Sequence, residues 1–98
     1  MGTEAEEFKV ENNEAERRFQ VASGGVLAVL QYEQTGERLA LTHTEVAPEL
    51  EGRGLAGKLA RAALEHARGQ GLKVVPACSF VAAYIRRHPE YKPLVAGE

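Results

Sequence analysis

The stretch from Val46 to Lys58 constrains the fold more than any other part of this 98-residue chain. Pro48 opposes both helix formation and strand pairing directly after an extended segment, and glycines follow at positions 52, 54 and 57. A long helical pattern begins among these glycines. Glycine allows close backbone approach, and the unpaired N–H groups at a helix start favour negative charge. With Arg53 and Lys58 beside the turn, the stretch predicts a seat for a phosphate-bearing cofactor.

Two common phosphate-binding motifs match this stretch only in part. A P-loop needs a hydroxyl residue after its lysine, whereas Leu59 follows Lys58. The three glycines also match the string of a dinucleotide-binding fingerprint. That fingerprint needs an acidic residue about 20 positions later, which would fall near Lys73, and no second mononucleotide-binding half follows. Neither motif therefore explains the stretch.

Alternating apolar residues predict four strands before the glycine turn. The first lies around Phe8 and Val10, and the others cover residues 17–22, 26–32 and 39–46. Turn residues separate them at positions 12–14, 24–25 and 34–37. The N-terminal part of the chain is therefore expected to form antiparallel hairpins.

The second half of the chain predicts a helix, a strand and a second helix. The first helix covers about residues 54–68, with an apolar face and a polar stripe on which Arg61 and Glu65 have the spacing of an ion pair. A strand follows at 72–75, and a second helix at 80–87 has Ser79 as its N-cap and an exposed His88 at its end. His66 is expected on the core-facing surface of the first helix or at its edge. Residues 91–95 are expected to be extended and to add a final edge.

The predicted order, β-β-β-β-α-β-α, indicates an α/β (α+β) fold with a mixed sheet. A helix between two neighbouring strands implies that the fifth strand pairs in parallel. The length suits one domain over residues 1–98, with residues 1–7 as a frayed acidic lead.

Composition excludes several classes of function. The net charge of -2 gives no general attraction to nucleic acid, and the apolar runs are too short to span a membrane. Cys78 is the only cysteine, which excludes an internal disulfide framework and any multi-cysteine metal site. The acidic N-terminus is unlike a signal peptide, so a cytoplasmic location is expected. Nothing in the sequence indicates an oligomeric state.

The glycine turn resembles the [QR]-x-x-G-x-[GA] cofactor loop of the GCN5-related N-acetyltransferase superfamily. The string from Glu51 to Ala56 fits it, except that a glutamate replaces the glutamine or arginine. The chain resembles more closely a small branch of that superfamily, through His-Thr-Glu-Val at 43–46 and Gly-Arg-Gly-Leu-Ala at 52–56. The strings Pro-Ala-Cys-Ser-Phe at 76–80 and Arg-His-Pro-Glu-Tyr at 87–91 also match, so the resemblance covers roughly residues 8 to 95.

This resemblance implies a minimal acyl-CoA N-acetyltransferase that lacks the two helices usually found between the first two strands. It implies acetyl-CoA as cofactor and an amine as acceptor, either a small molecule or a protein lysine, in an open groove. Since Glu51 removes one expected pyrophosphate donor, Arg53 is expected to carry more of that role. The expected contacts of CoA are Val46, Glu51, Gly52, Arg53, Gly54, Leu55, Ala56, Gly57, Lys58, Cys78, Ser79, Tyr84 and Arg87.

His43 and Glu45 are the first candidates for catalysis. They lie two apart on the fourth predicted strand, so both are expected on one face, together with Leu39 and Leu41. Histidine titrates near neutral pH and suits a general base that takes the amine proton. The alternative is a structural, hydrogen-bonded histidine beside a solvated glutamate.

Cys78 and Tyr84 are the other two candidates. Cys78 lies between the fifth strand and a helix start, where a thiol becomes more acidic. In the superfamily the thioester enters a gap between the fourth and fifth strands, so Cys78 either lines that gap or accepts the acetyl group. The resemblance implies that Tyr84 protonates the leaving thiolate, whereas its helical spacing from Phe80 fits a core aromatic residue equally well.

Three functions follow from these features. The leading prediction is an acetyl-CoA-dependent N-acetyltransferase. The second is a CoA-binding module without catalysis, and the third is an interaction domain whose glycine turn is only structural.

Overall fold

The computed structural model describes residues 8–97, and residues 1–7, predicted to be frayed, lie outside them. The predicted order of strands and helices is confirmed. Two short 3-10 helices, Pro48–Leu50 and Pro89–Leu94, were not predicted. The strands and α-helices are β1 Glu11–Asn13, β2 Arg18–Ser23, β3 Val26–Thr35, β4 Arg38–Val46, α1 Leu55–Gln70, β5 Lys73–Pro76 and α2 Ser79–Arg87.

The five strands form one sheet in the order β1-β2-β3-β4-β5. The first four pair antiparallel with their neighbours, and β4 pairs with β5 in parallel. Because α1 connects the parallel pair, the prediction of a mixed sheet with N-terminal hairpins is confirmed.

The sequence pattern of α1 predicted its buried face. Gly71 ends the helix in the left-handed conformation, with φ 70°, and its N–H contacts the last carbonyl groups. Glu65 pairs with Arg68 at 3.3 Å instead of with Arg61, and it also accepts a hydrogen bond from the Tyr91 hydroxyl at 2.6 Å. Burial and the Glu65 carboxylate raise the pKa of Tyr91 to about 12. The buried residues of α1 are Leu55, Leu59, Ala60, Ala63, Leu64 and Ala67.

The core lies on one face of the sheet. Val81 and Ile85 of α2 are buried in the same apolar cluster as the inner face of α1 and the strand residues Phe19, Leu30 and Leu41. As far as residues 8–97 describe it, the opposite face is open, and its side chains on β3 and β4 are mostly exposed. Within these residues, the sheet therefore has one covered side and one open side.

An irregularity in β4 changes which side chains face the core. Leu41 is the partner of Tyr32, but His43 is the partner of the preceding residue, Gln31, so Thr42 is an extra residue in β4. Since a one-residue shift reverses the facing of every later side chain, His43 lies on the open face. The prediction that His43 and Glu45 share a face with Leu39 and Leu41 is therefore wrong.

The first strand also differs from its prediction. β1 covers Glu11–Asn13 rather than the surroundings of Phe8 and Val10, and the turn follows it at residues 14–17. The two asparagines fit into a strand because their amides find partners across the sheet. Asn12 accepts a hydrogen bond from the Tyr32 hydroxyl at 2.6 Å, and Asn13 donates to Gln20 at 3.1 Å.

The second helix and the segment after it differ from their predictions in three respects. Cys78, not Ser79, is the N-cap residue of α2, since its backbone is still extended. His88 is half-buried rather than exposed, with its ring stacked on Tyr84 at 4.0 Å. The segment after it is a 3-10 helix and not extended, and only Val95 pairs with the sheet, as an isolated bridge to Val74. His66 lies as predicted at the edge of the core, with its ring against that of Phe19.

Among the helices of residues 8–97, none combines the length and the apolar character needed to cross a membrane.

Candidate cofactor groove and acyl-transfer site

The glycine turn leads directly into the N-terminus of α1. Gly52 and Gly54 have φ values of 82° and 73°, a left-handed conformation that favours glycine. Gly54 is the N-cap, and no side chain caps the helix there. The first hydrogen bond of the helix, from Lys58 N–H to the Gly54 carbonyl, leaves the N–H groups of the first turn directed out of the helix end.

A cavity of about 360 Å³ lies against this turn. Its size is within the usual range for small-molecule sites, from about 300 Å³ upwards. The walls are mainly apolar side chains and glycine backbone, but the Glu51 carboxylate adds negative charge beside the helix start. The lining residues are Val46, Leu50, Glu51, Gly52, Gly54, Leu55, Ala56, Gly57 and Phe80.

The two cations of the turn flank this cavity rather than line it. Lys58 lies in the first turns of α1 and borders a neighbouring hollow that Phe8 and Arg61 also line. The Arg53 guanidinium lies over the Phe8 ring, with Cζ 5.8 Å from the ring centroid. Both positive charges therefore belong to the side of α1 along which the N-terminal segment enters the fold.

The end of β4 extends past β5 next to this cavity. The ladder between the two strands stops at the pair Leu41 and Pro76, and the Cys78 N–H then donates to the Leu41 carbonyl at 2.9 Å. The chain then enters α2, while β4 continues to Val46 without a parallel partner among residues 8–97. We call the space beside this end of β4 the gap, with Cys78 at its inner end.

Cys78 lies in a polar microenvironment. Its Sγ is 3.3 Å from the Thr44 hydroxyl oxygen. Desolvation acts to raise the pKa of the thiol, but hydrogen bonds from the Thr44 hydroxyl and from the N–H groups of Val81, Phe80 and Thr44 outweigh it. The pKa of Cys78 is therefore lowered, as expected for a thiol at a helix N-terminus.

His43 and Glu45 form a pair on the open face of the sheet. The His43 Nε2 lies 3.4 Å from a Glu45 carboxylate oxygen, and the two side chains are 56% and 73% exposed. Thr44, between them in sequence, faces the core side and contacts Cys78. The backbone of β4 thus has the histidine on one side and the thiol on the other.

Tyr84, Ser79 and Arg87 are not in the wall of the cavity. The Tyr84 ring lies behind Gly57, where a Cβ on that glycine would be 3.7 Å from Cε2. Ser79 is exposed in the first turn of α2, and Arg87 is exposed at its last residue. Their roles at a cofactor remain predictions.

Sequence reasoning missed three residues of this region. Leu50 and Phe80 line the cavity, and Thr44 contacts the thiol. Leu50 is the buried residue of the 3-10 helix before the turn, and Phe80 is the second residue of α2. Alternation along β4 places Thr44 on the face opposite to that of His43 and Glu45. Which of the two faces is the core side could be predicted only if the irregularity at Thr42 were known.

Other parts of the described chain have fewer features of a binding site. A larger hollow, of about 420 Å³, lies at the other end of the sheet and has polar walls that include Glu14, Arg17 and Glu33. It is remote from the glycine turn and from the gap beside β4. Among residues 8–97, no group of three or more His, Cys, Asp or Glu side chains has an arrangement that would hold a metal ion.

Comparison with known proteins identifies the family of this chain. Residues 18–94 match the sequence profile described as GCN5-related N-acetyl-transferase. The chain belongs to this family. Its curated relatives include Protein NATD1 of Mus musculus, 38% identical over 85 residues, which span 84% of this chain and 77% of that protein. Protein NATD1 of Danio rerio is 33% identical over 89 residues, covering 86% and 81%.

A solved structure shows the same fold. The NMR solution structure of a GCN5-like protein from Staphylococcus aureus superimposes with a TM-score of 0.72 at 28% identity. The match covers 93% of this chain and 90% of that one. The predicted resemblance is therefore confirmed, and the family supports an acetyltransferase function in general terms.

Proposed function

We propose that this protein transfers an acetyl group from acetyl-CoA to an amine. The observation that carries the proposal is the gap beside β4. Past Leu41 this strand loses its parallel partner, and the glycine turn and the start of α1 lie at its far end. In this proposal the extended pantetheine arm lies along that end of β4, with the pyrophosphate at the glycine turn and the thioester near Cys78.

The start of α1 supplies the groups that a pyrophosphate needs. The first-turn N–H groups and the helix dipole favour negative charge, and left-handed glycines keep side chains away from the approaching oxygens. Arg53 and Lys58 add cations at this point, while Glu51 opposes them. Because Glu51 offsets part of the positive charge of the side chains, the site favours an anion that bonds to the backbone N–H groups over one held by side chains alone.

The thioester would lie at the inner end of the gap, beside Cys78 and Thr44. We infer direct attack by the amine, because an oriented thioester is already activated and positioning supplies much of the rate. The C–N bond forms, the C–S bond breaks, and CoA leaves as a thiolate that takes up a proton as the amine loses one. Cys78 then lines the site. The alternative, a covalent acetyl-cysteine, is kept open by the lowered pKa of its thiol.

The acceptor would approach from the open face. An ammonium ion must lose its proton before it can attack, and a free lysine holds that proton up to a pKa of about 10.4. His43 is suited to accept the proton, with Glu45 at 3.4 Å to orient its ring. The open sheet leaves room for either a small amine or a protein lysine.

Titration of the protein with CoA tests the cofactor seat. We expect Arg53→Gln and Lys58→Gln each to weaken binding about fivefold, as the loss of about 1 kcal/mol implies. Arg38→Gln is the matched control, since Arg38 is exposed at the opposite end of β4. Equal affinity in all four proteins, or no binding by the parent, would overturn the assignment.

Turnover with acetyl-CoA and a panel of amines tests the reaction. Transfer to any amine supports the proposal, and CoA binding without transfer to any of them would favour a binding module instead. Incubation with acetyl-CoA alone distinguishes the two routes, because only the covalent route adds an acetyl group to Cys78. We expect Cys78→Ala to keep measurable transfer.

A further inference from the structure

Phe8 reaches the proposed cofactor seat from outside the part of the chain that the family profile covers. It precedes β1 and residues 18–94, which the family profile covers. Its ring nevertheless lies beneath the guanidinium of Arg53, with Cζ 5.8 Å from the ring centroid. A cation within about 6 Å of an aromatic centroid is attracted by the electrons of the ring face.

We propose that Phe8 is a positioning residue for the cofactor and holds the Arg53 guanidinium ready for the phosphates of CoA. The proposal rests on the proposed function, since it deepens the role of the same seat. An aromatic ring engages the flat face of a guanidinium, whereas phosphate oxygens bond to the N–H groups at its edge. The two contacts are therefore compatible.

The position of Arg53 explains how the contact with the Phe8 ring would increase affinity. It lies between Gly52 and Gly54, which are both left-handed and both border open space on the side where a Cβ would be. An exposed arginine in an open turn loses rotamer freedom when it binds a ligand. A contact that already restricts the side chain reduces that loss and so increases affinity.

Phe8 is itself held in place. It is half-buried and packs against the edge of the core. With Val10, Lys58 and Arg61 it lines a hollow of about 280 Å³ along α1. Its ring therefore contacts Arg53 and borders the same hollow as Lys58.

The first test compares CoA affinity in Phe8→Leu, which keeps apolar volume but loses the ring, with that of the parent. We expect binding about two- to fivefold weaker, the range that an exposed cation–π contact implies. Phe8→Tyr should restore the affinity. Val10→Ala, which removes a side chain from the same hollow, should leave it unchanged.

Two readouts separate positioning from a general loss of structure. In an Arg53→Gln background, Phe8→Leu should have no further effect on CoA affinity. Acetyl-pantetheine, which lacks the phosphates, should bind the parent and Phe8→Leu equally. Two results would overturn this inference and leave the proposed function intact. One is equal CoA affinity of Phe8→Leu and the parent, and the other is that Phe8→Leu weakens binding as much in the Arg53→Gln background as in the parent. Failure of the parent to bind CoA would overturn the proposed function and this inference together.

Discussion

At the scale of single residues, Cys78 shows how a few local donors change the chemistry of a side chain. Burial alone acts to raise the pKa of a thiol, because it penalises the charged form. Here the Thr44 hydroxyl and the N–H groups at the start of α2 reverse that effect. The pKa of Cys78 is therefore lowered although the thiol is partly buried.

Thr44→Val should raise the pKa of Cys78, because it removes the hydroxyl donor and keeps the shape of the side chain. A lowered pKa makes the thiolate, and hence alkylation, appear at lower pH, so the variant needs a higher pH to react. The measurement is the pH dependence of the rate of alkylation by iodoacetamide. Thr42→Val is the control, since its hydroxyl donates to the Gln31 carbonyl and not to the thiol. An unchanged midpoint in Thr44→Val would contradict the assignment.

At the scale of elements, the start of α1 shows that its glycines have different roles. Gly54 has a left-handed backbone that side chains rarely adopt, whereas Gly57 lies within the helix with an ordinary φ. The first glycine is therefore required by the turn. Within residues 8–97, neither the backbone conformation nor a close contact requires a glycine at position 57. The feature of Gly57 that points to a role is that it lines the cavity.

Gly57→Ala should increase the free energy of unfolding by about 0.5–1 kcal/mol, the difference between glycine and alanine inside a helix. The added Cβ would lie 3.7 Å from the Tyr84 ring, an ordinary contact. Gly54→Ala should instead lower the free energy of unfolding by about 1–2 kcal/mol, because the left-handed conformation strains any residue with a Cβ. Urea denaturation of the two variants measures both changes. A destabilised Gly57→Ala protein would mean that the helix start is packed more tightly than the structure indicates.

At the scale of the whole molecule, β4 divides the proposed site in two. The helices cover one face of the sheet, and the thiol and the cavity belong to that side. His43 and Glu45 lie on the other face, and both side chains are exposed. The two substrates would therefore meet across a single strand.

His43→Gln should lower the turnover number about 100-fold, which is the lower end of what a general base contributes. CoA affinity should stay within about twofold of the parent, well under the tenfold change that 1.4 kcal/mol represents, because the histidine is on the face away from the cavity. Glu45→Gln, which keeps the histidine and weakens only its partner, should have a smaller effect. Steady-state kinetics with CoA titration checks both parts. An unchanged rate and pH profile in His43→Gln would remove this residue from the mechanism.

The sequence by itself determined the order of the elements, the buried face of α1 and the glycine turn that opens it. These features depend on residues close together in the chain, namely apolar spacing at Leu55 and Leu59 and glycines at positions 52 and 54. Local chemistry is enough to fix them. The family resemblance was also readable, because its strings are short and contiguous.

Only the tertiary structure decided which residues meet. The extra residue at Thr42 places His43 on the open face and Thr44 against Cys78, which lies 34 positions away in the chain. The contact of Phe8 with Arg53 joins the N-terminal segment to the glycine turn. The physical reason is that the alternation of side chains along a strand predicts which face each one is on only while the pairing register is unbroken. That register depends on how β3 and β4 pair and not on the sequence of either strand alone.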